Sequence, residues 1–125
     1  MPVPADAEEF TVDYDPQENI EFIADCSTLL ESGEQIDTFT LVALAEALAL
    51  GLDFRTGTGI TMGKVPISGT ADRGVRFRPV IDAEFEDDAA FDDPGTALPM
   101  LLTIVTTADY PRTRQRTFLL RVRQQ

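Results

Sequence analysis

The densest chemistry in this sequence is a run of seven carboxylates inside twelve residues: Asp82, Glu84, Glu86, Asp87, Asp88, Asp92 and Asp93. Hard oxygen ligands so closely spaced are the kind that calcium takes, and Asp87, Asp88, Asp92 and Asp93 are the candidate metal ligands. The run lacks the spacing of an EF-hand loop, and an acidic run is ordinarily a solvated face. A third reading sets it against a basic surface on a neighbouring molecule, such as the strip Arg112, Arg114 and Arg116. That contact is head-to-tail and closes into a ring when the rotation permits. Asp87, Asp88, Arg112, Arg114 and Arg116 are therefore interface candidates.

The remaining reactive groups point away from catalysis. The chain has no histidine, which excludes histidine-based triads, proton relays and metal sites. Cys26 is the one cysteine; it follows Asp25 with no cation nearby in sequence, so it reads as a buried structural thiol. The serines, Ser27, Ser32 and Ser68, sit in no nucleophile-elbow pattern. Paired carboxylates could serve a glycosidase, but a chain without tryptophan makes a poor sugar cleft. Gly57 to Lys64 (GTGITMGK) has the look of a phosphate loop, yet its spacing is one residue too long and Val65 stands where a magnesium-binding hydroxyl belongs. Arg73 to Phe77 (RGVRF) brushes an RNA-recognition strand motif but lacks its second aromatic. The expectation is a protein without enzymatic activity or cofactor.

What must position these groups is mostly strand. Leu98–Thr107 and Arg114–Arg123 are rich in β-branched and large apolar residues and flank a polar turn, which predicts a long antiparallel hairpin. Its arginines change parity after Phe118-Leu119-Leu120, which predicts a bulge or twist there that moves the row to the other face, the plainer reading being solvated outward positions. Ile20, Phe22, Ala24 and Cys26 alternate with Glu21, Ile23 and Asp25 in a half-buried strand with Cys26 inward. Residues 36–54 carry both helical and strand patterns; the reading is strand, a short non-regular or helical turn around Ala45–Ala47 within 43–50, then strand again. Short strands follow near Ile60–Ile67 and from Val75 to Ile81, the latter an edge or a break because Pro79 cannot donate to a ladder. Such a succession of short strands and turns predicts an all-β, antiparallel β-sandwich spanning 16–125, preceded by an arm over 1–15 that is extended or forms an edge strand.

Composition bounds the partners. At 125 residues with 43% hydrophobic content the chain forms one domain with a real core. A net charge of −12 repels nucleic acid and anionic lipid. Residues 1–60 hold thirteen acids and one base, Arg55, whereas residues 110–125 hold five arginines and no acid. That polarity can orient one molecule against another. The first residues, MPVPADAEEF, carry no signal-peptide pattern. The longest apolar run, Leu41 to Leu52, is interrupted by Glu46 and is about half of what spans a bilayer. A protein made in the cytoplasm is the expectation.

The segment Asp15-Pro16-Gln17-Glu18-Asn19-Ile20-Glu21-Phe22, followed by Asp25-Cys26-Ser27, Leu30 and Gly33-Glu34-Gln35-Ile36, resembles the opening of a tailed-bacteriophage family labelled fibre–tail adaptors. The closing Arg114-Gln115-Arg116-Thr117-Phe118 resembles that family's ending. The likeness covers the two ends and leaves out Leu41 to Asp93. The family often has tryptophan where Cys26 stands and another near Phe39; here there is none. The resemblance implies an immunoglobulin-like β-sandwich, made in the host cytoplasm and built into the virion tail. It would dock tail fibres to the tail or portal assembly in a multi-copy ring, through contacts with other virion proteins. On that reading the arm, with its apolar Phe10 and Tyr14, is a docking candidate. The alternative is a carbohydrate- or calcium-binding sandwich, serving as head decoration or receptor-binding module.

Overall fold

The structure, a computed structural model, describes residues 8–10, 12–55, 62–67, 69, 71–107 and 110–124. The alternation of apolar and polar residues becomes strand almost throughout: β1 (Glu8–Glu9), β2 (Phe22–Asp25), β3 (Ile36–Ala43), β4 (Leu52–Phe54), β5 (Gly63–Pro66), β6 (Asp72–Phe77), β7 (Pro79–Ile81), β8 (Thr96–Thr106) and β9 (Thr113–Val122). One helical turn, α1 (Ala45–Leu48), separates β3 from β4, as expected from the mixed pattern there. Residues 56–61 of the glycine-rich stretch and 108–109 of the hairpin turn lie outside the described residues.

One sheet runs β1-β9-β8-β3, a second β2-β6-β5, and β4 pairs with β7. In immunoglobulin lettering β3, β8 and β9 stand as strands C, F and G, and β2, β6 and β5 as B, E and D. The expected all-β sandwich is thus what the chain forms. The exception to antiparallel pairing is β1, which runs parallel to β9 with Glu8 opposite Phe118.

Period-two patterning builds the core. Leu98, Met100, Leu102 and Ile104 of β8 and Phe118, Leu120 and Val122 of β9 are buried on one face, against Phe22 and Ala24 of β2 and Val75 and Phe77 of β6. Phe10 joins the layers, with ring centroids 5.4 Å from Phe22, 5.7 Å from Phe77 and 5.6 Å from Phe118. At Arg78 the chain leaves β6 for β7 and changes partner from β2 to β4. Pro79, which lacks an N–H, sits at that exchange.

The bulge expected in β9 is absent: β8 and β9 keep one register from Thr96↔Val122 to Val105↔Thr113. The arginines change parity because Arg114 and Arg116 lie opposite the inward-facing Ile104 and Leu102, whereas Arg121 lies opposite Ala97 on the outer face. The register shift falls in β3, between Ile36 and Thr38, and moves the inward set from Ile36 to Phe39, Leu41 and Ala43. Gly95 enters β8 at φ +82, and a side chain there would meet Arg123 Cβ at 2.8 Å.

Candidate functional site

The segregated charges of the two chain ends meet within the molecule. Because residues 8–10 and 12–14 lie alongside 118–123, Phe10 N donating to Leu119 O at 3.0 Å and Tyr14 N to Arg121 O at 2.8 Å, the early acids face the late arginines. Arg116 pairs with Glu8 at 3.1 Å, Arg121 with Glu9 at 3.3 Å, and Arg123 with Asp13 and Asp93, both at 3.2 Å. Arg112 grips Glu34 with both ends of its guanidinium, Nε standing 3.3 Å from Oε2 and Nη2 closer still to Oε1. That fork, helped by the Glu31 backbone amide, holds the Glu34 carboxyl down at about 2. Of the expected docking strip, Arg112 and Arg116 are therefore occupied within the chain, and Arg114 is exposed.

Phe10 and Tyr14, expected as docking groups on a free arm, are built into the core instead. Tyr14 is fully buried, its hydroxyl 2.8 Å from Glu18 O and 3.1 Å from Pro79 O. Phe10 is partly buried in the aromatic cluster. The reason is the parallel seam with β9, which gives the arm's backbone partners and carries both rings inward.

The acidic run does not converge. Asp82 and Asp88 each accept from the amide two residues on, Glu84 N and Ala90 N, capping two turns of 3-10 helix at Ala83–Phe85 and Ala89–Phe91. Asp93 goes to Arg123, and Asp87 lies 3.4 Å from Gln124 Nε2. Among the described residues no three acidic or cysteine side chains come together as a metal would require, so Asp87, Asp88, Asp92 and Asp93 form no common ligand set. Short-range backbone capping separates them. Cys26 is fully buried, and burial pushes its thiol up to about 12, with Asp25 adding to the rise.

Two open surfaces carry what the charged candidates do not. A depression of about 720 Å³ lies between α1 and the Ala83–Phe85 turn, lined by Leu48, Leu52, Asp53, Asp82, Glu84 and Phe85. A second groove, about 270 Å³, runs between the arm and β2, lined by Phe10, Val12, Ile20, Phe22 and Ile23. Val12 and Ile23 are 58% and 44% exposed there. The signal for it in the sequence is Ile23, an apolar residue at a polar-face position between Glu21 and Asp25. Among the described residues no helix is long and apolar enough to cross a membrane. Compared with protein-family models, curated proteins and solved structures, the chain matches none.

Proposed function

We propose that this chain is a structural protein of a tailed-bacteriophage virion, an adaptor that docks tail fibres to the tail or portal assembly through protein–protein contacts. The observation that carries the reading is that each of the two segments resembling the adaptor family, far apart in sequence, contacts residues next to the other. Arg116 Nη1 lies 2.6 Å from Thr28 Oγ1, and Thr107 N donates to Gln35 O at 3.1 Å. Arg112, two residues before the closing motif, holds Glu34 of the opening one. Segments linked in this way are what an inherited scaffold retains, and the immunoglobulin-like strand order agrees with the fold that the resemblance implies. A sandwich with an open sheet rim suits docking by strand addition.

Immunogold labelling of purified virions with an antibody to this chain tests the reading. Label at the tail or the portal vertex is the expected result. Label spread over the head, or no label on particles, overturns it.

A further inference from the structure

Among the described residues β2 is a sheet rim with one side of its backbone open, pairing only with β6. Cys26 N donates to Arg73 O at 2.9 Å, which makes Cys26 and Arg73 a bonded pair of the antiparallel ladder. Bonded pairs alternate, so Ala24/Val75 and Phe22/Phe77 are bonded too, and the N–H and C=O groups of Ile23 and Asp25 point away from the sheet. Rims of this kind are usually blunted by shortness, charge, proline or a bulge; Phe22–Asp25 is short and carries one charge, Asp25, but has no lysine, proline or bulge. The apolar groove along it continues past Ile23 into a smaller hollow of about 180 Å³ shared by Phe10, Ile23 and Asp25.

We infer that the outer rim of β2 receives an extended strand from a different protein, added edge to edge, with an apolar side chain opposite Ile23 and a basic one opposite Asp25. A second copy of this chain fits badly. Self-pairing centred on Ile23 would set Glu21 against Asp25 twice, between two molecules of net charge −12. In antiparallel addition the rim of β9 in another copy would set Thr113, Gln115 and Thr117 against Ile23 and Asp25, because Leu119 O bonds outward and odd positions share its direction. Those residues are neither apolar nor basic. Glu21 already holds Arg76 and Arg78 at 3.7 and 3.8 Å, and Glu8 and Glu9, which also line the hollow, hold Arg116 and Arg121. Asp25, whose Oδ1 accepts from Ser27 N, is then the carboxylate that faces the newcomer without a cation among the described residues. The inference stands on this rim alone and does not depend on the virion reading.

The test is a titration of the ¹⁵N-labelled full chain with three capped peptides: Thr-Lys-Thr-Ile-Thr-Lys-Thr, the same with Glu for both Lys, and the same with Ser for Ile. The Lys/Ile peptide is expected to shift and protect the amides of Ile23 and Asp25, binding about tenfold more tightly than either control. Ile23→Lys is expected to weaken it by about tenfold, while Leu48→Lys in the other depression leaves it unchanged. Unmoved amides over 21–25 with every peptide, equal binding of all three, or concentration-dependent self-association through β2 would each overturn the inference. Binding here and absence from the tail in labelled virions would separate this site from the adaptor reading.

Discussion

Arg116 Nη1 and the Glu8 carboxylate stand 3.1 Å apart, bridging two residues 108 positions distant in the chain. The arginine side chain is 16% exposed and the glutamate 48%, so the pair sits at the mouth of the sandwich. Arg116 extends the inward row of Phe118, Leu120 and Val122, and Thr28 and Glu8 close over it where the second sheet no longer covers the first. A half-exposed pair contributes modestly, so a double-mutant cycle of Glu8→Gln and Arg116→Met in urea should give a coupling of about 0.5–1 kcal/mol. Arg116→Met alone should cost more than Glu8→Gln, because it also deprives Thr28 of its partner. Strict additivity in the cycle would mean that the pair contributes nothing.

Glu34 gives the fold an acid-sensitive contact. Its carboxyl titrates at about 2 in the native chain, held there by Arg112, against about 4.3 in an unfolded one. The native state therefore binds fewer protons at this site. The stabilisation is fully present above about pH 4.3 and is lost as pH falls through the native value. Denaturation midpoints measured from neutral pH downward should fall across that window. Glu34→Gln should flatten this part of the profile and lower stability at neutral pH. A profile unchanged by Glu34→Gln would remove the contact from the acid response.

The hairpin, the half-buried β2 and the helical turn after β3 were legible because each follows from local periodicity: Leu98 to Ile104 alternate, Phe22 and Ala24 alternate, and Ala45–Leu48 interrupts β-prone flanks. The acid and arginine blocks were legible as an asymmetry but not as a pairing. Their meeting depends on a parallel seam between residues more than a hundred positions apart, for which local patterning holds no signal. The parity of the arginines alone points to a bulge or twist in β9 that the register does not contain. Arg116 lies inward on the strength of Glu8 and Thr28, neither of which is near it in sequence. Asp82 and Asp88 resembled ligands because composition does not distinguish a chelating carboxylate from one capping the amide two residues on.

Cys26 should be inert to thiol reagents in the native state. Burial raises its pKa to about 12, so the reactive thiolate is scarce at neutral pH and the sulfur is shielded as well. Ellman's reagent at about pH 8 should leave the native thiol unmodified over hours and titrate one thiol per chain in about 6 M guanidinium chloride. The raised value also fixes the alkaline behaviour. The unfolded chain ionises its thiol above about 8.5 while the native one stays neutral, so this residue weakens the fold as pH rises from there towards the native value. Rapid native labelling would mean that the lower end of the sandwich opens readily.

Tyr14 tells a core hydroxyl from a docking side chain. Asp13 and Asp15 flank it, and a tyrosine between acids reads as exposed; yet the side chain is fully buried and its hydroxyl lies against two backbone carbonyls. The contact with Pro79 O ties the arm to the exchange between β6 and β7, 65 positions away, and burial raises the phenol's pKa. The hydroxyl has one proton for two carbonyls and also meets the Arg55 side chain, so removing it removes one donated hydrogen bond and the Arg55 contact. Tyr14→Phe keeps the ring, including its edge-on contact with Phe22 at 6.2 Å, and should cost about 1 kcal/mol, or about 3–5 °C in Tm. Tyr14→Ala empties a core position and should cost about 3–5 kcal/mol. If the arm instead swung free to place Tyr14 on a partner, both substitutions would leave the thermal transition near that of the parent. Calorimetry of the three proteins decides between a seam built into the sandwich and an arm that waits for a partner.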